Sequence, residues 1–536
     1  MRTVLKRLDR FVLLAGLVLL IALAAASWPS ASAQDSLTPR ERRGKQIYVQ
    51  GTSPSAREIL AYVGESSLEI PGTSMACANC HGLDGQGKPE GGINPSDIRP
   101  EFLTKPYGLT HPDGRKHPPY TDRGLELAIT RGTDPAGNRL LSVMPRYAMS
   151  REDLADLVAY LGRLGKDVDP GISESSIVIG TAVPASGPLA EIGQAIKAVT
   201  SAFFDNLNSQ GGVFSRHVEV KFVDTAETPS GTRANLERLL RDEHVFALSG
   251  AFIAGSEKEV VSLMAEKEVP LIGPLTLYPQ TGFPLNRQVF YLLSGVDGQA
   301  RTLIDFAARK PELKSLGPVV VYAQGEINAT VVEAIKEQSK KDGLSAPQTY
   351  GYETGRLDAP AAVKQLKQNG RDAVFLLGNA GEALSFMREA DKLGWFPSIF
   401  LPSGSGGVEL FSAPAGFSGK VFLSLPTSPA DQTAEGIREF RALGEKYKLP
   451  AKHVAAQLSA YSAAKILVEA LKRAGKDLSR EKLIRALEGF YEYPTGLTPA
   501  ITYGPNRRIG AMGAYVITVD LTQRQFVPAS GWIDVN

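Results

Sequence analysis

A chain of 536 residues, 43% apolar and 22% charged, has the composition of ordinary globular proteins and the length for two or three domains with sizeable cores, so it is not a miniprotein. Its 59 basic residues nearly balance 57 acidic ones for a formal net charge of +2, which argues against nucleic acid as a partner. Only two cysteines are present, so their chemistry depends on where they stand.

At the N-terminus Arg2, Lys6, Arg7 and Arg10 precede the apolar run Phe11 to Ala26, and Ala31-Ser32-Ala33 follows as a small-residue cleavage site. That order reads as a cleaved signal peptide over residues 1–33 and places the mature protein outside the cytoplasm. The competing reading is an uncleaved anchor, for which the run is somewhat short.

A first domain is expected over 37–166. Pro39 to Gln50 reads as its N-terminal helix, and both cysteines follow in Cys77-Ala78-Asn79-Cys80-His81-Gly82. A C-x-x-C-H sequence is the attachment site of a haem c: each thiol can add to one vinyl group, and the adjacent histidine lies beneath the iron. A zinc site needs further Cys or His ligands at matching spacing, and a thioredoxin-like pair needs a strand before it and a helix after it; neither context is present. One covalent haem c is therefore the expected cofactor, with Cys77, Cys80 and His81 binding it and no disulfide left to form. The stretch Gly51 to Ser74 ahead of the motif reads as a surface flap over the haem edge, and the Gly- and Pro-rich run Gly85 to Pro100 as an irregular loop. Thr121 to Arg131 and Ser150 to Leu164 read as helices. In the second, Leu154, Leu157, Val158 and Leu161 fall on one face, and Ser150 stands at the N-cap.

With Met144-Pro145 between those helices and Tyr160-Leu161-Gly162-Arg163-Leu164 at the end of the second, this domain resembles the class I cytochromes c. The resemblance implies an all-α fold with Met144 as the sixth iron ligand, a pair that raises the reduction potential and suits a one-electron carrier. Met75 and Met149 are the competing sulfurs. His111 and His117, in the polar loop Thr110 to Tyr120, are expected to face solvent.

A polar linker, 167–175, carries the breaker Pro170-Gly171. Beyond it, over 176–536, short β-branched runs alternate with amphipathic helices, the mark of parallel α/β sheets. Strands are expected at Ile177 to Thr181, Val218 to Val223, Phe246 to Ser249, Pro318 to Tyr322, Ala373 to Leu377 and Ile399 to Pro402. No Walker sequence, G-x-S-x-G elbow or Rossmann fingerprint follows any of them, which argues against a nucleotide enzyme or a serine hydrolase.

Ile179 to Pro188, Asn206 to Val213, Val269 to Pro274 and Ala460-Tyr461-Ser462-Ala463 are similar to stretches of the type I periplasmic binding proteins of the branched-chain amino acid family, the substrate-binding proteins of ABC transporters. The resemblance implies two α/β lobes around a ligand cleft. Its cleft residues would be Ser186, Ala254, Ser256, Thr276 and Tyr278 from the first lobe, and Gln324, Asn379 and Ser405 from the second. The last three supply no carboxylate for an α-ammonium, so a neutral or anionic small molecule fits at least as well as a free amino acid.

The expected protein is thus a periplasmic monohaem cytochrome for electron transfer, not an enzyme, fused to a module that binds a small-molecule ligand. Its redox partner would be a dehydrogenase or another cytochrome. The alternative is a transport receptor of an ABC-type system with an accessory haem domain.

Overall fold

The computed structural model describes residues 37–87, 92–111, 114–282, 284–311 and 317–535. The expected signal peptide lies outside them, as do Pro89 and Gly91 of the Gly/Pro-rich loop. Among the described residues no helix is long and apolar enough to cross a membrane. The chain divides into two compact units, Met1–Val168 and Asp169–Asn536.

In the first unit the helices Pro39–Gln50 and Arg151–Leu161 cross. Each begins where its sequence predicts. The Thr38 side chain accepts from the Glu41 amide in a capping box, and Ser150 accepts from the Asp153 amide. The crossing is centred on Gly44, where a Cβ would collide with the Asp156 carbonyl oxygen. Arg43 donates to both carboxylate oxygens of Asp156 at 2.6 and 3.1 Å beside that contact. The Tyr48 and Tyr160 rings meet 5.5 Å apart in the core, with Ile47, Leu157 and Leu161. Asp122–Arg131, capped by Thr121, packs on the same core through Ile129.

Two expectations are corrected here. Gly51 to Ser74 is no flap over the haem edge: it forms the hairpin Leu60–Val63 with Leu68–Pro71, and Leu60 to Tyr62 pair antiparallel with Arg146–Ala148. This stretch thus adds to the helical fold a three-stranded sheet whose third strand begins just after Met144-Pro145. The linker, in turn, is ordered against the second unit from Asp169 onward. Asp169 accepts from the Arg480 amide at 2.6 Å, and Ile172 is buried.

The second unit contains two lobes. The first is a parallel sheet in the order Ile509–Ala511, Val289–Leu293, Leu271–Ile272, Ala247–Ser249, Ser176–Val183, His217–Asp224. In the second, the strands Gln348–Tyr352, Pro318–Ala323, Ala373–Leu377, Ser398–Leu401 and Val421–Leu425 run parallel, and Gly513–Asp520 and Gln525–Pro528 close the sheet antiparallel. Helices pack on both faces because the central strands, such as Ala373–Leu377 and Ala247–Ser249, are buried on both sides, as a sheet covered on both faces requires. The chain passes between lobes at Ser294–Gly295, between Leu425 and Ala434, and at Met512; the Ser294 hydroxyl donates to the Gly513 carbonyl at 2.7 Å and ties two of these crossings together.

Candidate functional site

In the first unit the two cysteines and His81 lie on one short helix, Cys77–His81, held at both ends by tyrosines. Tyr147 donates to the Met75 carbonyl at 2.5 Å, and Tyr48 to the Gly82 carbonyl at 2.6 Å. Burial pushes both phenols well above their ordinary range, so they stay protonated and remain donors.

Cys77, Cys80 and His81 line a cavity of about 670 Å³, which Met144 and Pro145 also line. Its other walls are mostly apolar, with Ile98, Leu103, Leu125, Ile129, Leu157 and Leu161. His81 Nδ1 lies 3.0 Å from the Ser96 carbonyl oxygen. A carbonyl can only accept, so Nδ1 carries the hydrogen and Nε2 keeps its lone pair, the tautomer in which imidazole binds a metal. Burial lowers the His81 pKa, which favours the same neutral ring. Cys77 is pushed up to about 12, chiefly by desolvation, so its sulfur is an uncharged group against an apolar wall, as a thioether would be. Volume, lining and donor set therefore fit a haem.

Met144 is fixed from its C-terminal side: Arg146 donates to its carbonyl oxygen, and the strand Arg146–Ala148 is paired into the sheet. Of the competing sulfurs, Met75 lines the cavity, whereas Met149 packs against the apolar core. The solvent-facing expectation for His111 and His117 is wrong. Both line the cavity, and His117 is only 4% exposed. The polar composition of their loop concealed a two-stranded ribbon, Leu109–Thr110 with Lys116–His117, which turns the histidines inward.

In the second unit the expected cleft residues all follow the C-terminal ends of strands, where open α/β sheets bind ligands. They are not equally available. Ser186 and Ala254 are exposed, as are Gln324 and Asn379, which follow the adjacent strands Pro318–Ala323 and Ala373–Leu377. Ser256 is buried, with its hydroxyl donating to Thr232 Oγ1 at 3.2 Å, and Ser405 is buried as well. Tyr278 packs partly on the second lobe's core, and a Cβ on Gly404 would lie 3.5 Å from the Leu277 side chain, so this stretch bridges the lobes.

The sequence reading missed Glu257, a buried carboxylate that accepts from Thr276 Oγ1 at 2.6 Å. It also missed the ion pair between Lys258 of the first lobe and Glu326 of the second. Neither pairing has a local signal, because each joins strand-end loops or helices far apart in the chain.

Residues 176–525 match the periplasmic binding protein family, and residues 73–165 match the cytochrome c family. A Leu/Ile/Val-binding protein homolog of Brucella melitensis is 23% identical over 58% of this chain and 83% of its own. The leucine-, isoleucine-, valine-, threonine- and alanine-binding protein of Pseudomonas aeruginosa is 22% identical over 61% and 86%. Among solved structures, a branched-chain amino acid ABC transporter protein of Thermus thermophilus with bound valine superposes with a TM-score of 0.54 at 20% identity, covering 68% of this chain and 98% of that one. A fatty acid ABC transporter substrate-binding protein of Thermomonospora curvata gives 0.55 at 18%, covering 69% and 95%. The chain belongs to the periplasmic binding protein family and carries a cytochrome c domain ahead of its two-lobed binding domain. The cytochrome domain implies covalently bound haem c, both families suggest a periplasmic protein, and these relatives are binding proteins rather than enzymes.

Proposed function

We propose that this protein is a periplasmic one-electron carrier whose second domain binds a small molecule. Cys77 and Cys80 would hold a single haem c through thioether bonds, and His81 and Met144 would ligate its iron. The observation that carries this reading is that these four side chains line one apolar cavity in which Ser96 leaves His81 Nε2 as the ligating nitrogen. Bound there, the haem supplies reversible one-electron chemistry, and a His/Met pair keeps its potential high. The chain's own contribution is positional: Tyr48 and Tyr147 hold the attachment helix, Ser96 orients His81, and the paired strand after Pro145 holds Met144 at the cavity wall. With His81 and Met144 both given to the iron, no position would remain for oxygen or substrate, which favours a carrier served by a periplasmic dehydrogenase or another cytochrome.

Haem staining of the denatured full-length protein tests attachment; loss of the colour on acid-acetone extraction would refute it. Met144→Ala should remove the far-red sulfur-to-iron band of the ferric protein and lower its potential. An unchanged spectrum would move the sixth ligand to Met75 or a histidine.

For the cleft, Ser186, Ala254, Thr276, Tyr278, Gln324 and Asn379 are the proposed contacts. The relatives are named for branched-chain amino acids and, in one structure, a fatty acid. A neutral or anionic ligand fits this chain at least as well as a free amino acid, because two nearby acids already accept hydrogen bonds. Glu257 accepts from Thr276, and Glu382 accepts from the Asn379 amide at 2.9 Å as part of a helix cap. Thermal shift of the full chain against valine, fatty acids and small carboxylates separates these classes, since a ligand at a hundredfold its Kd stabilises by about 2.7 kcal/mol. A shift with valine alone would overturn this ligand assignment.

A second reading, a transport receptor presenting ligand to an ABC-type permease, is favoured by one observation: the match spans 83% of a stand-alone binding protein, so the receptor module is nearly whole. Ligand-dependent binding to a permease complex would support it.

A further inference from the structure

Met144 stands in a segment, Leu140 to Pro145, that belongs to no helix or strand, so no regular ladder of backbone bonds fixes its position. Separate contacts do this instead. The Met144 amide donates to the Leu141 carbonyl at 3.1 Å in a tight turn, the Leu140 amide to the Gly132 carbonyl at 2.8 Å, and the Gly64 amide to the Ser142 carbonyl at 3.0 Å. Three carbonyl oxygens of the segment then converge on one side chain. Arg146 donates to Met144 through Nη1, and through Nη2 to Leu140 at 3.0 Å and Leu141 at 3.4 Å.

A guanidinium suits this task, because its planar fork of donors spans several acceptors at fixed angles. Among the described residues no carboxylate pairs with Arg146, and the charged side chain that acts on it is Arg139, of like sign. Its charge is therefore available to the carbonyls. Bonds from an ionised donor are about twice as strong as the neutral amide bonds around them, so Arg146 contributes most of what holds the segment.

Room for the side chain comes from Gly132, which ends the helix Asp122–Arg131 in the left-handed region at φ 64°. A Cβ there would collide with the Arg146 guanidinium. The end of that helix, the methionine turn and the strand Arg146–Ala148 thus meet at one side chain. Leu140, Leu141 and Met144 line the cavity, and Arg146 holds them from outside that lining.

We propose that Arg146 is a positioning residue for the haem iron: its three bonds lock the Leu140–Met144 segment and set how readily Met144 yields the iron to another ligand. The inference rests on the haem reading above and deepens it. To leave the iron, Met144 must draw its own carbonyl and that of Leu141 away from Arg146, so each opening breaks charge-assisted bonds. An outside ligand binds only the open form, and its apparent affinity falls with the fraction that is open. Removing the fork therefore raises that affinity. A segment that stays closed keeps oxygen and substrate from the iron, as a carrier requires.

The test is an imidazole titration of the full-length, haem-loaded ferric protein, read by loss of the far-red sulfur-to-iron band. Arg146→Lys keeps a positive charge but replaces the fork with a point donor, and Arg146→Gln removes the charge. Both should bind imidazole more tightly than the wild type, by about tenfold or more, the worth of one charge-assisted bond. Arg123→Gln, which removes an exposed charge from the helix Asp122–Arg131, is the control and should bind it as the wild type does. A wild-type affinity in Arg146→Lys overturns the inference, because charge without the fork would then suffice, and leaves the haem reading intact. An equal rise in Arg123→Gln also overturns it, since the effect would be one of overall charge. Should the Arg146 variants not assemble, NMR of the wild-type guanidinium decides the matter. Arg146 Nη protons protected from solvent exchange in the free ferric protein and released in the imidazole adduct support the lock, and equal exchange in the two refutes it. A haem-loaded wild type without the far-red band refutes Met144 as the ligand, and the inference falls with that reading.

Discussion

Tyr48 donates to the carbonyl oxygen of Gly82 at 2.6 Å, joining the N-terminal helix to the residue that ends the cysteine helix. The ring is fully buried, so the bond is made away from water. Tyr48→Phe keeps the ring and leaves the carbonyl unpaired, which should cost about 1–3 kcal/mol. Denaturant unfolding of the haem-loaded protein, followed through the haem absorption, should show a lower midpoint with an unchanged slope. An unchanged midpoint would mean that the Gly82 carbonyl reaches water and that the tyrosine only fills space.

Gly44 is the point at which two backbones touch, and the Cβ of an alanine there would strike the Asp156 carbonyl oxygen. Alanine is the better helix former by about 1 kcal/mol, so on an isolated helix Gly44→Ala would stabilise. In the folded domain overpacking should prevail, at about 1–3 kcal/mol or more, because the obstacle is backbone and cannot rotate away. Thermal unfolding monitored by haem absorption gives the sign directly, and a raised melting temperature would contradict the close crossing.

These contacts divide what could be read in the sequence from what could not. Helix starts were legible because caps are local: Thr38, Thr121 and Ser150 each sit within three residues of the amide they accept. The cofactor helix was legible because its chemistry is contiguous. The inward turn of His111 and His117 was not, because it depends on Leu109 pairing with His117, and polar loop composition carries no record of that register. The fate of Gly51 to Ser74 was hidden for a similar reason: its partner strand, Arg146–Ala148, lies far along the chain. In the binding domain the strand ends were predictable from period and length. Where the Ser256 hydroxyl points depended on a side chain from another helix, Thr232.

Asp134, the partner of the cavity-lining Arg115, should make the haem domain sensitive to acid. Desolvation works to raise its pKa, but bonds from Asn138, Arg115 and the amides of Asn138 and Ala136 outweigh it and hold the carboxyl below its ordinary range. A depressed folded-state pKa contributes stability that is present above the unfolded value, about 3.9, and is lost as pH falls through the folded one. The haem domain should therefore lose stability below about pH 4. Asp134→Asn should be less stable at neutral pH and show a shallower acid slope, read as melting temperature between about pH 3 and 6. Parallel slopes in the two proteins would assign the acid sensitivity to other carboxylates.

The last prediction concerns closure of the binding domain. Lys258, in the helix Glu257–Lys267, pairs with Glu326, at the start of the helix Glu326–Lys341, and the two helices belong to opposite lobes. Both side chains are largely exposed, so the pair is screened by salt and worth little beside the buried contacts at the lobe crossings. It nonetheless exists only when the lobes approach, which makes it a bias on closure rather than on folding. Glu326→Gln should leave the melting temperature of the ligand-free protein nearly unchanged, widen its radius of gyration in small-angle scattering, and weaken ligand binding by no more than roughly fivefold. Both effects should shrink in high salt. Glu337→Gln, which removes the partner of Arg301 within one lobe, is the control and should do neither. If the two variants behave alike at low salt, the Lys258–Glu326 pair has no part in holding the lobes together.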